Sequence, residues 1–185
     1  MVDMQRQKTI PQIEISIVQS LTESELSDLC DAALDTMNDF AGAFAMGSSR
    51  TQAPTKEMLQ SYWKGVLMVP ERQLIIGKLD KVVAASIQLI RPAPSNQTSA
   101  FAVSIENHFV APWARGYGLA RELLFAAERK ARQEGFKVLK LSARATQEPA
   151  IHLYETSGYI LWGTLEKYEI VNGEMVAGHF YYKDL

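Results

Sequence analysis

Val110-Ala111-Pro112-Trp113-Ala114-Arg115-Gly116-Tyr117-Gly118-Leu119-Ala120-Arg121 is the stretch whose reading decides the fold. Upstream of it, Thr98 to Val110 reads as a long strand. Downstream, Gly118 to Glu134 carries Ala120, Leu123, Leu124, Ala127 and Ala131 at helical spacing, and Gly135 stops that helix. Two glycines at i and i+2 let the backbone come close to a ligand, and the first free N–H groups of the helix face the same place. That is an anion site. Arg115 and Arg121 add positive charge to it, and a pyrophosphate is its natural guest.

Two other readings stand beside this one. The glycines can serve only a tight strand-to-helix turn. They can also belong to a dinucleotide fingerprint, but the third glycine of G-x-G-x-x-G is replaced by Arg121. The next strand ends at Arg144 instead of the acidic residue that would hold a ribose. An arginine there suits a 2′-phosphate, so an NADP oxidoreductase remains a reading, and it predicts a wholly parallel sheet.

Moving outward, Ile13 to Leu21 reads as a first strand. Thr22-Glu23-Ser24-Glu25 forms a capping box that opens a helix running to about Asp39. Phe40 to Thr55 reads as irregular and Lys56 to Leu67 as a second helix. Gln73 to Leu79 and Val82 to Arg91 form a hairpin across Asp80-Lys81. Beyond the loop come a strand at Lys137 to Ala143, a short helix at Pro149 to Ser157 and a strand at Tyr159 to Thr164. Asn172-Gly173 turns the last hairpin. The order is β-α-α-β-β-β-α-β-α-β-β. Antiparallel strands followed by a strand-helix-strand crossover make an α/β (α+β) fold with a mixed central sheet of about seven strands. Residues 12–185 read as a single domain behind a flexible leader, 1–11.

The chain has 185 residues and a net charge of −2, so it offers no basic field for nucleic acid or an anionic membrane. No apolar run approaches the roughly 20 residues of a membrane span, and Met1 to Pro11 lacks the apolar stretch of a signal peptide. The expected location is the cytoplasm. The single cysteine, Cys30, shares a helical face with Leu26, Leu29, Ala33 and Met37 and reads as a core residue. The three histidines lack metal-ligand spacing, so no metal site is expected.

A second stretch, Gln147-Glu148-Pro149-Ala150-Ile151-His152-Leu153-Tyr154-Glu155-Thr156-Ser157-Gly158-Tyr159, completes the picture. Pro149 in the first turn and Gly158 after the last define a helix, with Ile151 and Tyr154 on one face. The first stretch resembles motif A of the GNAT superfamily of N-acyltransferases: Gln or Arg, two residues, Gly, one residue, then Gly or Ala. Arg115, Gly118 and Ala120 fill it. The second resembles that family's N-x-x-A-x-x-L-Y-E-x-x-G-F, with Gln147 in place of Asn and Tyr159 in place of Phe.

The resemblance implies a GNAT-like fold and acetyl-CoA as co-substrate. The backbone of His108, Phe109 and Val110 would pair with the pantetheine arm. The loop formed by Arg115, Gly116, Tyr117, Gly118, Leu119, Ala120 and Arg121 would hold the pyrophosphate, and Gln147 and Tyr154 would also touch the cofactor. It implies N-acetyl transfer by direct attack of a primary amine in a ternary complex. Tyr154 would be the acid for the departing thiolate and Glu106 the candidate base, often acting through water in this family. His108 is a second candidate base. Strict alternation places Val103, Ile105, Asn107 and Phe109 on one strand face and Ser104, Glu106, His108 and Val110 on the other, an assignment that a bulge would change.

The acceptor site is expected between the two N-terminal helices and the last hairpin. Phe40, Phe44, Met46 and Trp63 are candidates for its wall, and Asp35 and Asp39 for holding a cation. The C-terminal pattern resembles antibiotic- and toxin-acetylating members, which favours a small-molecule amine over a protein N-terminus or lysine. A homodimer is an expectation taken from the family. The rival from another class is a CoA-binding sensor with its acceptor cleft plugged by aromatic side chains.

Overall fold

A computed structural model describes residues 11–39, 54–171 and 173–185. The expected leader, all but Pro11, therefore lies outside the described residues. So do most of the irregular segment, with Phe40, Phe44 and Met46, and Asn172 of the last turn.

The strands are β1 (Ile13–Val18), β2 (Arg72–Leu79), β3 (Val82–Ile90), β4 (Ala102–Val110), β5 (Val138–Arg144), β6 (Ile160–Val171) and β7 (Glu174–Asp184). The helices are α1 (Glu23–Asn38), α2 (Lys56–Met68), α3 (Leu119–Gln133) and α4 (Glu148–Thr156). One seven-stranded sheet has the order β1-β2-β3-β4-β5-β7-β6. Every pairing is antiparallel except β4 with β5. The mixed sheet is the expected one, and it removes the wholly parallel sheet that the NADP reading required.

Local signals explain the elements. The Thr22 side chain accepts from the Glu25 N–H at 3.2 Å, and the Glu25 carboxylate accepts from the Thr22 N–H at 2.8 Å, closing the capping box of α1. Asp80 and Lys81 both take positive φ, which gives the β2–β3 turn the twist its strands need. Side chains of β2 alternate between two cores: Leu74 and Ile76 pack under α1 and α2, whereas Ile75 and Leu79 pack under α3. Cys30 is buried among the first set, where burial pushes its thiol up to about 11, as befits a core residue and not a nucleophile.

Two irregularities shape the centre of the sheet. Opposite β3, Glu106 pairs with Gln88 but Phe109 pairs with Ser86, so β4 holds one residue too many, and Asn107 sits at φ +49°. On the other side, β4 pairs with β5 only from Ala102–Val138 to Ser104–Lys140. Beyond that point β5 stays with β7 through Leu141–Tyr181 to Arg144–Gly178, and β4 stays with β3. The two central strands therefore part, and a wedge opens between their C-terminal ends.

Candidate active site

The bulge corrects the strict alternation expected for β4. Val103 and Ile105 pack on the α3 side, but Phe109 has crossed to the α1–α2 side, where its ring lies 6.4 Å from that of Trp63. Asparagine accepts positive φ more readily than most residues, so Asn107 is a chemically sensible place for the switch. Its amide donates to the Tyr62 hydroxyl at 2.6 Å, and the wholly buried Gln88 amide donates to the same oxygen at 3.2 Å. Arg72 joins Gln88 at 2.8 Å to Glu106 at 3.2 Å. This polar chain fixes the bulge from below.

His108 turns to the opposite side. Its Nε2 lies 3.1 Å from the Ala120 carbonyl, which can only accept, so Nε2 carries the proton. Nδ1 is then the acceptor for the Tyr154 hydroxyl, also at 3.1 Å. Loss of hydration pushes the His108 pKa down to about 4, which keeps the ring neutral at pH 7. Burial also raises the Tyr154 phenol above its usual range, so it stays protonated.

The phosphate-loop reading has a clear local basis. Gly116 has φ +85° and Gly118 φ +92°, and a Cβ at either would point into open space. The glycines are there for the backbone. Gly118 caps α3, and the first bond of the helix ladder runs from Glu122 N–H to Gly118 O at 3.1 Å. The amides of Leu119, Ala120 and Arg121 therefore precede the ladder, at the positive end of the helix. Arg115 is tied back by its Nε to the Val110 carbonyl at 3.3 Å and by its Nη1 to Asp39 at 2.5 Å. Asp39, considered for an acceptor cation, thus braces this loop, while Asp35 is exposed on α1.

A cavity of about 420 Å³ runs along this loop. The expected residues that line it are His108, Phe109, Val110, Arg115, Gly116, Gly118, Leu119, Ala120, Arg121, Gln147 and Tyr154. Tyr117 does not line it; its side chain is exposed outside. Thr146, Pro149 and Leu153 also line it and were missed, although Pro149 and Leu153 stand within the second stretch already singled out. Gln147 caps α4, and its side-chain oxygen accepts from the Arg144 N–H at 3.2 Å.

A second cavity, about 280 Å³, fills the wedge where β4 and β5 part. Glu106 and Asn107 stand on its β4 wall, Ser142 and Arg144 on its β5 wall, and Tyr168 and Glu169 reach in from β6. His108, Gln147, Ala150 and Tyr154 line both cavities and form the partition between them. Of the elements expected around an acceptor, the last hairpin lines this cavity, and among the described residues none of α1 or α2 does. Trp63 is fully buried, packed edge-on against Tyr62 with ring centroids 5.0 Å apart, and belongs to the core. Tyr168 and Glu169 were missed because the strand read from sequence ended at Thr164.

The model of the acetyltransferase (GNAT) family matches residues 34–159. An uncharacterized N-acetyltransferase in the hisH-hisA intergenic region of Azospirillum brasilense is 46% identical over 135 residues, covering 73% of this chain and 77% of that protein. Among solved structures, an N-acetyltransferase from Staphylococcus aureus Mu50 superposes with a TM-score of 0.74 at 18% identity, over 94% of this chain and 98% of its own. A putative acetyltransferase of Salmonella typhimurium, yncA, solved with its cofactor acetyl-CoA, gives 0.71 at 14% identity over 93% of both chains. At those identities the two structures speak for the fold.

Proposed function

The chain belongs to the acetyltransferase (GNAT) family, and from that premise we propose that it moves an acetyl group from acetyl-CoA to a primary amine of a small molecule, by direct attack in a ternary complex. One observation carries the reading: two cavities meet at a partition made by His108 and Tyr154. The larger has the glycine loop and the helix N-terminus for a pyrophosphate. The smaller is open and polar, unlike the aromatic plug of a CoA sensor.

The residues fit the cofactor. Gly116 and Gly118 leave room for phosphates against the backbone, and the amides of 119–121 supply donors. The parting of β4 from β5 leaves the backbone of 108–110 able to pair with an extended pantetheine arm. The thioester supplies the activated carbonyl.

Glu106 takes the proton of the acceptor ammonium, directly or through water, and Arg72 holds the carboxylate in place. Tyr154 faces the departing sulfur. A thiol has a reference pKa near 8.5 and tyrosine one near 10, and burial raises the Tyr154 phenol further. Tyr154 therefore stabilises the thiolate chiefly by hydrogen bonding, its single proton turning from His108 Nδ1 toward sulfur. His108, neutral and anchored on Ala120, returns the phenol to its place.

The test is calorimetric titration with acetyl-CoA and NADPH, on wild type and Gly118→Glu, followed by a thiol-release assay over an amine library. Acetyl-CoA binding lost in the variant is the expected result. A folded wild type that ignores acetyl-CoA would refute the proposal.

A further inference from the structure

Resting on the acetyltransferase reading above, we infer that Lys183 is a positioning residue for the transfer: it clamps the C-terminal end of α4 to α3 and so fixes where Tyr154 holds its hydroxyl. Lys183 lies on β7. Its Nζ donates to both carboxylate oxygens of Glu128 on α3, at 2.8 and 2.9 Å, and to the Ser157 carbonyl at 2.8 Å. Ser157 is the C-cap of α4. These short bonds match the three protons of an ammonium, so one cation joins β7, α3 and the end of α4. It also meets the negative end of the α4 dipole, and α4 has no basic residue in its own last turn.

Burial sets this pair apart from the surface ion pairs. Glu128 is buried, and the Lys183 side chain is 19% exposed. A buried ion pair is often no more stabilising than an apolar pair of the same volume. What this pair adds is fixed distances to named atoms.

Those atoms lead to Tyr154, the one buried side chain of α4. The Ser157 N–H donates to the Leu153 carbonyl at 3.0 Å and to the Tyr154 carbonyl at 3.1 Å. The residue that Lys183 holds is therefore bonded to the Tyr154 backbone. A second route runs through rings. Lys183 Nζ lies 5.4 Å from the centroid of the Tyr159 ring, which lies 5.8 Å from that of Tyr154. Without the clamp, the end of α4 shifts and carries the Tyr154 backbone with it. The 3.1 Å bond from the phenol to His108 Nδ1 then loses its geometry.

The experiment compares wild type with Lys183→Met/Glu128→Leu, in which an apolar pair replaces the two charges and neither is left alone. Both are made with and without Tyr154→Phe. Calorimetry with acetyl-CoA and a thermal melt come first, then the thiol-release assay with the fastest amine of the library screen. The apolar pair should lower kcat on the order of tenfold, inside the roughly 10²-fold that a displacement of about 1 Å can cost, with acetyl-CoA affinity kept. On the Tyr154→Phe background the same change should lower kcat no further, because the hydroxyl it positions is gone. In nitrogen NMR of histidine-labelled protein, the His108 Nδ1 signal should move in the apolar-pair variant toward its place in Tyr154→Phe. Lys183→Gln/Glu128→Gln takes over if the apolar pair melts within the assay range. An unchanged kcat, equal fold losses on the two backgrounds, or an unmoved His108 signal in folded protein would each overturn the inference. Wild type that does not bind acetyl-CoA would instead remove the acetyltransferase reading, and the His108 signal, read without cofactor, keeps the two failures apart.

Discussion

The Tyr154 hydroxyl donates to His108 Nδ1 at 3.1 Å, while His108 Nε2–H donates to the Ala120 carbonyl at the same distance. The phenol is thus tied through the imidazole to the first turn of the helix that Gly118 caps. The bulge at Asn107 makes this link, because it turns His108 toward α3 and α4 while Phe109 goes the other way.

Removing only the hydroxyl, by Tyr154→Phe, keeps the ring packed against Tyr159 and Tyr181. Affinity for acetyl-CoA should hardly change in calorimetry. The loss belongs to kcat and should be on the order of 10²-fold, the lower range for one positioned acid or donor. An unchanged kcat would take Tyr154 out of the chemistry.

His108 predicts a pH signature. Its folded pKa is depressed from 6.5 to about 4, so between those values the unfolded chain binds a proton that the folded chain refuses. Stability therefore falls as pH drops through that window, by roughly 3 kcal/mol once pH is below 4. Glu25 and Glu134, whose pKa values are lowered by their hydrogen bonds, lose their contributions only below the usual carboxylate range. Urea melts between pH 4.5 and 6.5 should show a slope in wild type that is absent in His108→Gln. Parallel slopes in the two proteins would mean that His108 titrates normally.

Much of this site is legible in the sequence because the signals are local. Gly116 and Gly118 between a strand and an amphipathic helix, the Thr22 capping box, and Pro149 to Gly158 each follow from a few neighbouring residues. What escaped depends on pairing between distant segments. Alternation along β4 carries no mark of an extra residue except the tolerance of Asn107 for positive φ. Trp63 has the same apolar character whether it lines a cleft or fills a core, and only the packing of α2 on β4 decides. Glu166-Lys167-Tyr168-Glu169 breaks the strand pattern, yet β6 continues through it to Val171 because β7 holds both ends.

The Tyr62 hydroxyl receives the amides of both Asn107 and Gln88. Tyr62→Phe would leave the buried Gln88 amide short of a partner and should cost about 1–3 kcal/mol of stability. It should also lower kcat, since the bulge that aims His108 loses its brace. Asn107→Gly keeps the backbone conformation without the amide and should be the milder change in activity. Equal stability of Tyr62→Phe and wild type in chemical denaturation would mean that water replaces the hydroxyl and the brace is not needed.

The least visible determinant of the smaller cavity is Gly178. Between Leu165 and Glu169, β6 runs out of register with Gly178 to Val176 of β7, and the extra residues lay Tyr168 over Gly178. A Cβ at Gly178 would fall 2.3 Å from two ring carbons of Tyr168 and 2.8 Å from its Cβ. No such contact can persist, so Gly178→Ala must displace the ring, break the 2.8 Å link to Ser142 and open the cavity wall. Overpacking of this kind should cost about 1–3 kcal/mol. The acceptor KM should rise while acetyl-CoA affinity holds, because Tyr168 lines only the smaller cavity. The two positions must also couple. In a Tyr168→Ala background the clash is gone, so adding Gly178→Ala should cost little further stability, and a double-mutant cycle should return a large interaction energy. Additive losses in that cycle would show that the strain of Gly178→Ala lies in the β7 backbone, not in the seat of Tyr168.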